Sequence, residues 1–160
     1  MSVNKIEEYW HMYTRENGLN MSIPDAWMFG DGSKEMGDEL GSLVVKGIKT
    51  GTCAAHCVYE LEGEEIPKVG QYDIVLDGDK NPLAIIKYTK IDFIKMNEVT
   101  SDFARSEGEG DLSYDYWYRE HVKFFTWELN LYGLTFTPEL LLVCQTFEVM
   151  DIYKDRLQYL

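Results

Sequence analysis

Cysteine, proline and long apolar runs are all scarce in this 160-residue chain, and each scarcity excludes something. Three cysteines are an odd number and too few to staple a small secreted fold, which points to a reducing, cytoplasmic setting. The four prolines, Pro24, Pro67, Pro82 and Pro138, are scattered, and neither a Pro-rich linker nor a repeat divides the chain. One domain over residues 1–160 is therefore expected, close to the usual domain size of about 100–150 residues. No apolar run approaches the roughly 18 residues of a membrane span, and the first ten residues lack the layout of a signal peptide. Basic residues are short too: 15 Lys plus Arg face 28 Asp plus Glu, a formal charge of −13. A field of that sign argues against a protein that coats DNA or RNA by tracking phosphates. Any polyanion has to be met by a local basic site.

What is present is ample apolar and aromatic material, 45% and 14% of the chain, too much for an acidic disordered tail. Ile6, Trp10 and Tyr13 share one face of a helix expected over about 4–16, ended by Asn17-Gly18. Residues 23–32 read as a loop. Ser33 caps a second helix that runs towards Gly47. Strands are expected at 52–61, 72–76, 83–94 and 140–152, with a turn at Asp77-Gly78-Asp79-Lys80-Asn81. A short helix fits 97–105, and Ser113 caps a longer one carrying Tyr114, Trp117, His121, Phe124 and Phe125 at spacings of three or four. Helices among irregularly spaced strands make an α+β class: a small mixed, barrel-like sheet with flanking helices and a short C-terminal tail.

Charge is unevenly spread. Lys87, Lys90 and Lys95 stand against Asp92 alone, and Lys46 and Lys49 lie in a stretch without acids. Residues 98–120 are strongly acidic by contrast. Two segments stand out against this background. In Gly47-Ile48-Lys49-Thr50-Gly51-Thr52, glycines bracket a lysine and hydroxyls, a pattern that lets backbone N–H groups and an ammonium face an anion. The order of elements is not that of a phosphate-binding P-loop, and a helix cap with a turn is the plainer account. In Glu107-Gly108-Glu109-Gly110-Asp111, alternate carboxylates in an extended loop can share a divalent cation such as Mg²⁺ or Ca²⁺, or form an acid/base pair. The plainer account here is a solvated loop leading into a helix N-terminus. Cys53, His56 and Cys57 do not make a metal motif, because on a strand Cys53 and Cys57 face away from His56. His121 on an apolar stripe reads as a hydrogen-bonded core residue. Trp27, Phe29 and Trp117 are candidate stacking surfaces for bases, with the core as their default place.

The order of these segments is more specific than any one of them. Trp27-Met28-Phe29-Gly30-Asp31, Gly47-x-Lys49-Thr50-x-Thr52, Ile66-Pro67-x-Val69-Gly70, Phe103-Ala104-x-x-Glu107-Gly108-Glu109-Gly110-Asp111 and Trp117-x-x-x-His121-x-x-Phe124-Phe125 together resemble the ASCH domain family, in its bacterial branch with the Glu-Gly-Glu-Gly-Asp loop. The resemblance implies a PUA-like small β-barrel with helices alongside, and a module that binds RNA or a nucleotide-like ligand. It places Trp27, Phe29, Lys49, Thr50, Thr52, Lys87, Trp117 and His121 on the ligand side. The alternative it implies is a hydrolase acting on an acylated nucleoside or on RNA, with Lys49 and Thr52 as amidohydrolase-like residues. Glu107 and Glu109 would then serve as acids, or with Asp111 as ligands of a divalent cation. Lys87 stands where that amidohydrolase pattern has a carboxylate, so binding is the reading carried forward.

Overall fold

A computed structural model describes residues 2–159, with side chains for 5–157. In chain order the elements are α1 (Ser2–Glu16), β1 (Ala26–Trp27), α2 (Lys34–Val45), β2 (Gly51–Ala55), α3 (His56–Glu62), β3 (Tyr72–Leu76), β4 (Pro82–Lys95), α4 (Ser101–Ser106), α5 (Tyr114–Asn130) and β5 (Leu141–Ile152). Short 3-10 turns cover Met96–Glu98 and Tyr153–Tyr159. The strand order is β1-β3-β4-β5-β2. This is a mixed α+β fold with an open five-stranded sheet, which corrects the expected small barrel. Among the described residues β1 pairs with β3 and β2 with β5, which leaves β1 and β2 as the ends of the order, and α3 starts directly after β2.

The chain divides into two compact units. The first comprises residues 1–47, 70–87 and 148–160. Its core packs Tyr9, Trp10 and Tyr13 of α1 on Tyr72, Ile74 and Leu76 of β3 and Ile85 of β4. The 4-3 spacing of Ile6, Trp10 and Tyr13 is the stripe that α1 buries or half-buries there. β3 is buried on both faces, and β1 pairs with it in parallel, Ala26 opposite Ile74 and Trp27 opposite Val75. That two-residue strand lies in the expected loop and carries no local signal. Ser33 caps α2 as expected, its side chain accepting from the Met36 N–H.

The second unit comprises residues 48–69 and 88–147. β2 pairs antiparallel with β5, Cys53 opposite Cys144. Trp117, His121, Phe125 and Leu129 are the buried line of α5, and Trp117 and Phe125 join Met96, Val99, Leu142 and Cys144 in the core. The strand expected over 52–61 is corrected: it stops at Ala55, and α3 follows. Gly63, at φ 67°, adopts the left-handed conformation that ends a helix, and the Glu64 N–H closes it on the Tyr59 carbonyl at 2.8 Å. The helix expected over 97–105 is split at Val99 and Thr100, both extended; Thr100 caps α4 by accepting from the Phe103 N–H.

Candidate functional site

The site is built where the chain enters β2. Lys49 lies just before the strand and is 1% exposed. The acidic loop packs over it, with Gly108 against Ile48. The Thr50 N–H donates to the Ser106 carbonyl at 2.7 Å, tying the end of α4 to this entry. Gly108 follows at φ 73°, and a Cβ there would stand 2.7 Å from the Ile48 carbonyl oxygen. Only glycine allows that approach. The plainer account of a solvated loop holds at Gly110 and Asp111, whereas residues 107–109 dock over the lysine.

Beneath this loop lies a closed set of charges. Lys49 Nζ is 3.1 Å from Glu107 Oε1, 3.0 Å from Glu109 Oε2 and 3.3 Å from the Glu107 carbonyl oxygen. Glu107 is 2% exposed, and its other oxygen, Oε2, receives three donors: Trp117 Nε1–H at 2.7 Å, the Cys53 thiol at 3.2 Å and His121 Nε2 at 3.2 Å. His121 Nδ1 is 2.7 Å from the Trp117 carbonyl, which only accepts, so Nδ1 carries a hydrogen. A second proton on Nε2, facing the carboxylate, makes the ring an imidazolium. Trp117 stacks on that ring at 4.4 Å, and the i, i+4 spacing on α5 puts both side chains on Glu107.

The electrostatics follow from this arrangement. Burial alone would raise the Glu107 pKa, but Lys49 and His121 together hold it well below the usual carboxylate range. Burial would likewise lower the pKa values of Lys49 and His121, and the facing carboxylates override it, holding both above their ordinary values. Burial and the Glu107 charge push the Cys53 thiol well up. Two cations and two anions thus balance inside the unit. Glu109, at 18%, is the most exposed of the four.

The expected site residues divide accordingly. Lys49, Glu107, Glu109, Trp117 and His121 come together. Cys53, expected to make no site, joins them: its parity on β2 points its thiol at the carboxylate that Lys49 reaches from just before the strand. Thr52 falls on the other parity and, among the described residues, makes no hydrogen bond to the cluster. Thr50 is exposed, its hydroxyl 3.4 Å from the Ser106 carbonyl. Asp111 is exposed, and its Oδ1 accepts from the Ser113 N–H at 2.9 Å. Glu107 and Glu109 thus meet on an ammonium. In the first unit, Trp27 donates from Nε1 to Asp73 at 2.9 Å and packs edge-on to the buried Phe29, while Lys87 lies 5.6 Å over the Tyr72 ring. The expected basic pocket at Lys49 is corrected: its charge is neutralised internally.

Chemically, a protonated Lys49 is no general base and a neutral Cys53 thiol is no nucleophile. The Cys53, Glu107 and His121 donor atoms lie within 4.8 Å of one another. A soft divalent cation could sit among them only by displacing the thiol proton and the Nε2 proton.

An open mixed sheet with a docked acidic loop over a buried lysine defines a small α+β module. The family model described as ASCH domain matches residues 25–151, and the chain belongs to that family. A crystal structure of a protein from Enterococcus faecalis, assigned to family DUF984, is similar at 51% identity with a TM-score of 0.87, over 94% of this chain and 95% of that one. An ASCH domain from Lactobacillus crispatus is similar at 32% identity with a TM-score of 0.81, over 92% of each chain. No curated protein matches. Among the described residues, no helix is long and apolar enough to cross a membrane.

Proposed function

We propose that the chain is an RNA-recognising module that reads an unpaired base at Glu109. The observation that carries this is the state of that carboxylate: fixed at 3.0 Å by a buried lysine, yet partly open to solvent. A fixed acceptor of this kind suits a base edge that donates, such as the exocyclic amine of cytosine, and repels the O4 of uracil. Lys49 and Glu107 act as positioning residues, because they hold Glu109 and do not reach ligand themselves. Membership of the ASCH family supports a nucleic-acid partner, and the charge of −13 restricts it to a short, locally read segment. The hydrolase reading finds no specific support, since the cluster offers neither a free base nor an activated nucleophile. Calorimetric titration with single-stranded cytidine and uridine tetranucleotides at two salt concentrations tests the proposal. Cytidine should bind at least about ten-fold more tightly, the order expected of one good base contact. Absence of binding at low salt, or equal binding of the two, rejects it.

A further inference from the structure

The first unit holds a cavity of about 570 Å³ that the Glu109 reading does not use. Its size lies within the range of about 300–1,000 Å³ that small-molecule sites occupy. Much of its wall is apolar, from Val45 at the end of α2, Pro82 and Leu83 at the start of β4, and Ile152 and Leu157 near the C-terminus. Ser42, Asn81 and Tyr153 add hydroxyl and amide groups.

Three lysines line it: Lys5 from α1, Lys46 at the cap of α2 and Lys154 from the C-terminal turn. They come from separate elements, so neighbourhood in sequence does not explain their convergence. Two acids, Asp38 and Asp77, also line the cavity, the first of them paired with a lysine outside it. Asp38 accepts from Lys34 Nζ at 2.6 Å and from the Gly78 N–H at 2.7 Å. Asp77 accepts from the Asp79 and Asn81 N–H groups at 2.8 and 2.9 Å, holding its own turn together. Among the described residues, none of the three lysines is in an ion pair. Asp38 is neutralised by Lys34, so in a chain of −13 three ammonium groups face the single remaining carboxylate of Asp77, a local positive excess around one largely apolar cavity.

We infer that this cavity binds a small anion with a heterocyclic body, of the size and chemistry of a nucleoside monophosphate. The apolar wall takes the ring, and the lysines take the phosphate as point charges. An acyl chain with a carboxylate head would satisfy the lysines but leave the hydroxyl and amide groups of the wall without partners, at a cost. This inference does not depend on the reading of Glu109, which lies in the other unit.

The test is a titration of the full chain with adenosine 5′-monophosphate, adenosine, inorganic phosphate and octanoate, repeated on the double variant K5E/K154E. The monophosphate should bind at least about ten-fold more tightly than each of the other three. The double variant should lose at least about ten-fold of that affinity, while the charge-matched control K90E/K123E, at exposed lysines of the other unit, leaves it unchanged. A monophosphate no tighter than adenosine, tighter binding of octanoate, or unchanged binding by K5E/K154E each overturns the inference. Circular dichroism of the double variant, whose two positions are exposed, confirms that any loss is local.

Discussion

Lys49 and Glu107 are 58 positions apart in sequence and meet as an ion pair, Nζ to Oε1 at 3.1 Å, with both side chains almost wholly withdrawn from water. Removing one partner leaves the other buried with only part of its compensation, Glu109 for Lys49 or His121 for Glu107, a loss that reaches at most about 3–5 kcal/mol, the cost of a stranded buried charge. Lys49→Ala and Glu107→Ala should each lower the unfolding free energy by up to that amount in urea titrations. The double substitution should cost clearly less than their sum, because the Lys49–Glu107 attraction is lost in each single variant and counts only once in the double. Additive losses would mean that the two residues do not act as a pair.

The docked loop gives a second prediction through Gly108. Gly108→Ala faces both a left-handed backbone, at φ 73°, and the Ile48 carbonyl. Gly63, at φ 67°, has no atom within 4 Å of the same imagined Cβ. Gly63→Ala should therefore cost only the left-handed strain, about 1–2 kcal/mol, and Gly108→Ala distinctly more. Thermal unfolding of the two variants checks the order, and equal losses would show that the loop can lift without penalty.

Much of the scaffold was legible because its signals are local. Ser33 and Ser113 precede periodic apolar stripes, and each caps its helix with its own hydroxyl. The boundary at Ala55 was not, because 52–61 is apolar enough to suit either period and Gly63 decides it from the far end. β1 escaped notice because two residues carry no period, and its parallel partner lies nearly fifty positions on. At the site, the resemblance brought forward Lys49, Glu107, Glu109, Trp117 and His121, but their mutual neutralisation depends on folding. A lysine in a stretch without acids reads as free charge until the loop closes on it.

Proton linkage follows from the same cluster. The His121 pKa is raised on folding, so its contribution is complete below its unfolded value near 6.5 and is lost as pH rises through the higher folded value. The Glu107 pKa is depressed, so its contribution is complete above about 4.5, its unfolded value, and is lost on acidification. Stability should therefore fall on both sides of a window between these limits. His121→Gln should flatten the alkaline side and, by removing one of the two cations that hold Glu107 down, also lessen the loss on the acid side. An imidazole titration by NMR that places the His121 pKa at or below 6.5 would contradict this.

Cys53 provides a chemical probe of closure. With its proton held towards Glu107 and its pKa pushed well up, it should resist iodoacetamide at pH 8 in the native protein and react promptly in urea. Peptide mapping by mass spectrometry reads this directly. Rapid native alkylation at Cys53 would show that the cluster opens to water.

The salt dependence of RNA binding should be shallow, since Lys49 has no charge to spare for a phosphate. Each phosphate neutralised on a single strand contributes about 0.7 to the slope of log affinity against log salt, and a slope below about 1.5 in magnitude is expected. A steep slope would mean that other lysines track the backbone.

Base recognition is proposed to rest on the fixed Glu109 carboxylate. The ratio of cytidine to uridine tetranucleotide affinity, measured in the unaltered protein and in Glu109→Gln, tests it most directly. Glutamine keeps the size but supplies an amide in place of two acceptor oxygens. The ratio should drop from at least about ten towards one in the variant, with the fold intact by circular dichroism. A ratio that the substitution leaves unchanged would contradict the account.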